Sequence, residues 1–286
     1  MLEVDSFFDD DTNNVSYVAT DSETGKCAVI DSILDYDAAS GRLTNQSADQ
    51  LIEFVREKNY EVEWIIDTHV HADHITGAHY IKKMLGGKTA IGAQITEVQK
   101  TFGKIFNESQ TFHTDGRQFD HLFEDNDEYQ LGSLTGRAIH TPGHTSACMV
   151  HNIADALFVG DTLFMPDFGT ARCDFPGGDA ATLYRSIQRI YEFPDDTRMF
   201  ICHDYKAPDR EVFAWETTVG EQKRANVQAN ASVSEAQFIE MRTARDAKLG
   251  TPRLMVPSVQ INMRAGDLPE PEENGRRYLK VPLNAL

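Results

Sequence analysis

Three histidines and an aspartate crowd into six positions of this 286-residue chain, within Asp67-Thr68-His69-Val70-His71-Ala72-Asp73-His74. On a solvated helix such a run has no structural purpose, whereas imidazoles and a carboxylate converging from one tight loop suit a divalent cation. Three more residues of ligand type stand in short segments downstream: His144 in Thr141-Pro142-Gly143-His144-Thr145, Asp161 in Gly160-Asp161-Thr162-Leu163-Phe164, and His203 in Cys202-His203-Asp204-Tyr205. These candidates outnumber the ligands of a closed structural zinc site, and no spaced cysteine pair accompanies them, so the pattern points to a catalytic centre. Two architectures meet it. One is a dinuclear hydrolase that uses every candidate; the other is a mononuclear iron centre held by two histidines and one carboxylate, with faces open to substrate and oxygen. No Ser-His-Asp or Gly-x-Ser-x-Gly arrangement offers a rival nucleophile.

Such residues need strands that end in the right place. Trp64-Ile65-Ile66 reads as a buried strand, so the histidine-rich loop leaves a strand's C-terminal end, where open α/β sheets bind ligands. Upstream, Glu3 to Phe8, Val15 to Ala19 and Cys27 to Ile30 read as an antiparallel meander interrupted by turn-rich stretches at 9–14 and 21–26. Ser47-Ala48-Asp49-Gln50 resembles a capping box and opens a helix to about Asn59, with Leu51, Ile52, Phe54 and Val55 on its apolar face. After the loop the pattern predicts a helix over Ile75 to Leu85 ended by Gly86-Gly87, a strand over Thr89 to Gly92 and a helix over Ile95 to Phe106. The acidic run 124–128 reads as a solvated turn. Strands then recur at Tyr129 to Leu131, Arg137 to His140, Ala147 to His151 and Ala156 to Val159, the second and fourth delivering ligand motifs. Asp179 is the expected N-cap of a helix over Ala180 to Tyr191; Met199 to Cys202 is a buried strand delivering His203; and Ser232 to Glu235 opens a helix to about Lys248.

Composition narrows the partners. A formal net charge of −18 opposes binding to nucleic acid, whose phosphates demand a basic surface. The N-terminus lacks a basic region followed by an apolar one, and no stretch approaches the ~18 apolar residues needed to cross a bilayer, so the expectation is a cytoplasmic protein with no membrane partner. Cys27, Cys148, Cys173 and Cys202 are scattered without a C-x-x-C pair, as reduced thiols would be. No low-complexity linker divides the chain. One domain over 1–286 is expected, with a helical extension and tail from about residue 211.

The His-x-His-x-Asp-His run, followed in order by the Pro-Gly-His, Gly-Asp and Cys-His-Asp-Tyr segments, resembles the signature of the metallo-β-lactamase superfamily. The resemblance covers nearly the whole chain, and is greatest to the persulfide dioxygenases, relatives of glyoxalase II, of the bacterial β-lactamase-like hydrolase type. It implies an α/β fold, an αββα sandwich of two mixed sheets flanked by helices. It implies one Fe2+ per chain on His69, His144 and Asp161, with His71, Asp73, His74 and His203 as surrounding groups that orient the ligands. In the dizinc relatives those positions bind metal, so two Zn2+ are the alternative. The implied reaction oxidises a low-molecular-weight persulfide, such as glutathione persulfide, with O2 and water to sulfite and thiol; the rival is a dizinc thioester hydrolase. Gly169 to Phe175 resembles the Gly-x-Arg-x-Asp-Phe segment of the dioxygenases, with an extra residue before the arginine. Arg172 is therefore a candidate for a substrate carboxylate, or else pairs internally with Asp174 or Asp161. Tyr205 either reaches substrate or packs its ring at the pocket edge. Cys173 reads as a packed residue. Lys223 and Arg224 begin a stretch comparable to the helical region that grips glutathione in glyoxalase II, or are simply solvated, and the tail Asn262 to Gly266 is expected at the pocket mouth. The oligomeric state stays open, a homodimer included.

Overall fold

In the computed structural model, which describes residues 1–284, the chain begins with the expected meander. Strands β1 (Leu2–Asp9), β2 (Asn14–Asp21) and β3 (Lys26–Ile30) pair antiparallel. A short hairpin, β4 (Ile33–Asp37) and β5 (Arg42–Thr44), precedes helix α1 (Gln46–Glu57) and strand β6 (Glu61–Ile66). Ser47 does not cap α1. Its hydroxyl donates to Asp35 at 2.6 Å, and the N-cap, Asn45, makes no side-chain bond. The expected helix from Ile75 also starts later: Ile75–Thr76 is a short strand, β7, paired with β4, and α2 (Ala78–Leu85) follows Gly77. Thr76 is claimed by tertiary bonds, its N–H donating to Asn262 and its hydroxyl to Asp67, which outweigh its helical spacing. Then come β8 (Lys88–Gly92), α3 (Ile95–Ile105) and β9 (His121–Phe123). The first sheet has the order β1-β2-β3-β6-β8-β9 and is parallel from β3 onward.

The second sheet collects β10 (Glu128–Leu131), β11 (Leu134–His140), β12 (Met149–Ile153) and β13 (Ala156–Phe158) as an antiparallel run. Helix α4 (Ala180–Ile190) crosses over to β14 (Arg198–Phe200), which pairs parallel with β13, and β15 (Glu216–Thr218) closes the edge. Asp179 caps α4 as expected, accepting from Thr182 N–H. Helices α5 (Val219–Ala225), α6 (Glu235–Asp246) and α7 (Met255–Asn262) complete the chain, α6 opening with a capping box of Ser234 and Gln237.

Alternate residues of the strands face opposite layers. Ile66, Phe158 and Phe200 join Tyr17, Trp64 and Phe123 between the sheets. Their neighbours Ile65, Leu157 and Met199 face the helices: Ile65 meets Leu51 and Ile52 of α1, and Leu157 and Met199 meet Leu183 and Ile187 of α4. This is the αββα sandwich. Four helices, α1, α2, α3 and α7, lack a side-chain N-cap. A cap is worth ~1 kcal/mol, and one buried Leu or Ile contributes about 1.5–3 kcal/mol, so packing holds them. No helix among the described residues is long and apolar enough to cross a membrane.

Candidate metal centre

Because β3 and β6 run parallel, and β11, β13 and β14 share one direction, the loops leaving their C-terminal ends reach one edge of the sandwich. The β6 loop carries His69, His71, Asp73 and His74; the others carry His144, Asp161 and His203. All seven sequence candidates come together there, in two adjacent sets. His69, His144 and Asp161 form one, and His71, Asp73, His74 and His203 the other, the ligand atoms of each set lying within 4.8 Å of one another. His69 Nε2 and His144 Nε2 each lie 3.7 Å from Asp161 Oδ2, and His203 Nε2 lies 3.7 Å from Asp161 Oδ1. His203 Nε2 is also 3.1 Å from Asp73 Oδ2, without the alignment of a hydrogen bond.

These residues fit a cation. His69 Nε2, His71 Nδ1, both nitrogens of His74 and of His203, and Asp161 Oδ1 are buried without a hydrogen-bond partner, a costly arrangement unless an ion satisfies them. Ligands each about 2.0–2.2 Å from one ion stand up to roughly 4 Å apart, which accommodates the 3.7 Å spacings in the first set. Burial, aided by the neighbouring imidazoles, holds His69 and His71 well below the ordinary histidine range, and burial also lowers His144. Neutral rings keep their lone pairs for a metal. Burial pushes the Asp161 carboxyl up, a penalty that a bound cation would reverse.

Three of the rings, those of His69, His144 and His71, are aimed by a partner on the other nitrogen. Thr68 Oγ1 meets His69 Nδ1 at 3.0 Å, and His144 Nδ1 donates to the Arg172 carbonyl at 2.7 Å. His71 Nε2 donates to Asp31 at 3.0 Å, and Asp31 also accepts from the N–H and hydroxyl of Thr68. Sequence reasoning missed Asp31; the signal available was a carboxylate directly after the buried strand Cys27 to Ile30. Asn262, expected at the pocket mouth, is instead buried and donates to the carbonyls of both His71 and His74 at 2.8 Å. A second omission is Arg242 with Asp246 on α6. Both are buried; Arg242 donates to Asp246, the Thr170 carbonyl and Gln228, while Asp246 accepts from Cys173 N–H.

Above the first set lies a cavity of about 280 Å³ walled by Phe164, Phe168, Phe175, Arg172 and Tyr205. Arg172 pairs with Asp174 through two bonds of 2.6 and 2.7 Å, and donates to the Gly250 carbonyl at 2.7 Å. Tyr205 stacks on His203 with centroids 5.6 Å apart, and its hydroxyl is 3.4 Å from Asp73. Cys173 is packed, and burial pushes its thiol up. Lys223 and Arg224 end α5 rather than begin a helix, and Lys223 pairs with Asp195 at 2.6 Å.

Residues 9–203 match the family model described as the metallo-beta-lactamase superfamily. The chain belongs to this superfamily. A relative from Burkholderia pseudomallei named "Probable metallo-hydrolase" is 52% identical over 295 residues, covering 100% of both chains. "Glyoxylase B2" of Dictyostelium discoideum is 49% identical over 94% of this chain and 92% of its own. The Homo sapiens protein named "Persulfide dioxygenase ETHE1, mitochondrial" is 26% identical over 88% of this chain and 84% of its own. Among solved structures, ETHE1 from Myxococcus xanthus superposes with a TM-score of 0.73 at 26% identity, over 93% of this chain and 100% of that one. The metallo-β-lactamase fold therefore accounts for the two mixed sheets and for the edge on which the ligands gather.

Proposed function

We propose that the chain is a persulfide dioxygenase acting on a low-molecular-weight persulfide such as glutathione persulfide. The balanced reaction is RSSH + O2 + H2O giving RSH, SO3²⁻ and two protons: the S–S bond breaks and four electrons pass from the persulfide to O2. The observation that carries this reading is the close grouping of two histidines and one carboxylate, His69, His144 and Asp161, the donor set that non-haem iron oxygenases use. The resemblance to proteins named ETHE1 supports it. One Fe2+ bound there would supply positions at which a soft sulfur anion and oxygen meet already oriented. The chain's own groups do the rest. Thr68 and the Arg172 carbonyl fix the tautomers that present Nε2 of His69 and His144. Phe164, Phe168 and Phe175 give the cavity an apolar wall, while Tyr205 and Asp73 give it a polar strip.

A second reading, a dizinc thioester hydrolase, is favoured by the unpartnered nitrogens of the second set and by the name of the Dictyostelium relative. Metal analysis with oxygen uptake separates the two. About one iron per chain with uptake on glutathione persulfide is expected; two zinc ions, with hydrolysis of a glutathione thioester and no uptake, would overturn the dioxygenase reading. Replacing His69, His144 or Asp161 by alanine should abolish iron binding, and Asp73→Ala should cost roughly 10- to 100-fold in affinity or activity. Equal loss of metal from all four variants points to the dinuclear site.

A further inference from the structure

His69, His71, Asp73 and His74 stand on one loop, and little holds its backbone. Strand β6 ends at Ile66, Thr68 is tied to Asp31 and to Met149 N–H, and β7 takes up pairing again at Ile75. Between these points, among the described residues, the main chain of 69–74 takes part in two hydrogen bonds. Both come from the Asn262 side chain, to the carbonyls of His71 and His74 at 2.8 Å. Oδ1 of the same amide accepts from Thr76 N–H at 2.9 Å. The Thr76 N–H can only donate and the two carbonyls can only accept, so these partners fix the orientation of the amide and use both of its protons. No other side chain of this length matches them: aspartate lacks the donors, and leucine lacks every polar atom. His74 depends on the arrangement most. Its ring has no hydrogen-bond partner on either nitrogen, whereas the rings of His69 and His71 are held by Thr68 and Asp31.

Asn262 is itself firmly placed at the end of α7. The next carbonyl, that of Met263, accepts from Gln99 of α3 at 2.9 Å, and Arg264 pairs with the buried end of Glu108 at 2.6 Å. Gly266, at φ 85°, lies so near the loop that a Cβ there would stand 3.0 Å from the Thr76 carbonyl oxygen. Two residues before Asn262, Gln260 ties α7 to the tail, donating to the Lys280 carbonyl at 2.9 Å and accepting from Lys280 N–H at 2.8 Å. We propose that Asn262 is the positioning residue of the ligand loop, a clasp on α7 that fixes the 71–76 turn and thereby directs His71 and His74 at the metal edge. The clasp serves one bound ion or two alike, so it is independent of which reaction the centre performs.

The test compares the intact protein with Asn262→Asp, Asn262→Leu and Gln260→Leu. Asn262→Asp keeps the acceptor for Thr76 N–H and loses both donors, and Asn262→Leu loses all three bonds. Gln260→Leu costs α7 its two bonds to the tail without touching the loop. Zn2+ affinity is read by chelator competition, and the stability of the metal-free proteins from urea midpoints. Both Asn262 variants should bind Zn2+ at least about tenfold more weakly, whereas Gln260→Leu should lower the urea midpoint and leave the affinity unchanged. An unchanged affinity in folded Asn262→Asp overturns the proposal. An equal loss of affinity in Gln260→Leu also overturns it, because the stability of α7, not the clasp, would then set metal binding. Where neither Asn262 variant folds, amide hydrogen exchange in the unaltered metal-free protein decides. Thr76 N–H should be protected as strongly as the amides of α7 and open together with them, and free exchange at Thr76 overturns the clasp.

Discussion

His71 owes its orientation to Asp31. That carboxylate, at φ 51° just beyond β3, takes three donors: the N–H and hydroxyl of Thr68 and Nε2 of His71. It thereby fixes the ring that precedes Asp73 and the residue that precedes His69. Asn tolerates the left-handed backbone and preserves the shape, so Asp31→Asn isolates the loss of charge and of one acceptor. Metal affinity should fall roughly 10- to 100-fold with the fold retained, by chelator competition alongside circular dichroism; unchanged affinity would show that the loop backbone alone sets the ligands. The ligands themselves were legible because ligand chemistry leaves a dense local mark, three histidines and an aspartate in six positions. Asp31, Asn262, Arg242 and Asp246 left none. Each is an ordinary polar residue whose partner lies far away along the chain, and only folding places Asn262 beside the carbonyls of His71 and His74.

At the scale of elements, strand-like runs between turn-rich stretches revealed the first meander, and the apolar face of α4 with its Asp179 cap revealed that helix. The elements that were missed carry no local pattern. β7 is two residues long and exists because it pairs with β4. α7 buries Ser258, Gln260 and Asn262 as well as Met255 and Val259, so no apolar stripe marks it. The (i, i+4) pair Arg242 and Asp246 has the spacing of a solvated helical ion pair, yet both are buried and tie segment 170–173 to α6. Buried ion pairs behave asymmetrically: removing one partner typically costs about 3–5 kcal/mol, whereas replacing both by apolar residues costs far less. Arg242→Met should therefore destabilise the protein more than Arg242→Met combined with Asp246→Leu, as read from urea midpoints. It should also weaken metal retention, because the 170–173 segment supplies the carbonyl that orients His144. A double variant no more stable than the single would mean that the pair's bonds to the segment, rather than its charges, carry the energy.

For the whole molecule, the interior of the sandwich holds a histidine that does not belong to the metal site. His151 on β12 is buried among Phe123 and Tyr129, accepts or donates at Nδ1 only with the Tyr129 hydroxyl at 3.1 Å, and leaves Nε2 without a partner. Burial lowers its pKa from 6.5 to about 4. Above the unfolded value of 6.5 the ring is neutral in both states and contributes no pH dependence; below it the unfolded chain takes up a proton that the core refuses. Stability is thus lost as pH falls from about 6.5 towards 4, at up to ~1.4 kcal/mol per pH unit. The full window amounts to roughly 3 kcal/mol, a large share of the ~5–15 kcal/mol that holds a typical domain. Protons also compete with a metal for its ligands on acidification, so the comparison has to be made with a variant that removes His151 alone. His151→Gln keeps a polar group near Tyr129 and cannot charge. Urea midpoints of both proteins between pH 7 and pH 4.5, each with the metal fully loaded, should show the variant losing less stability on acidification, by close to one proton's worth of slope. Parallel curves would mean that the core admits a proton at His151, and that acid sensitivity arises at the metal-bearing edge of the sandwich instead.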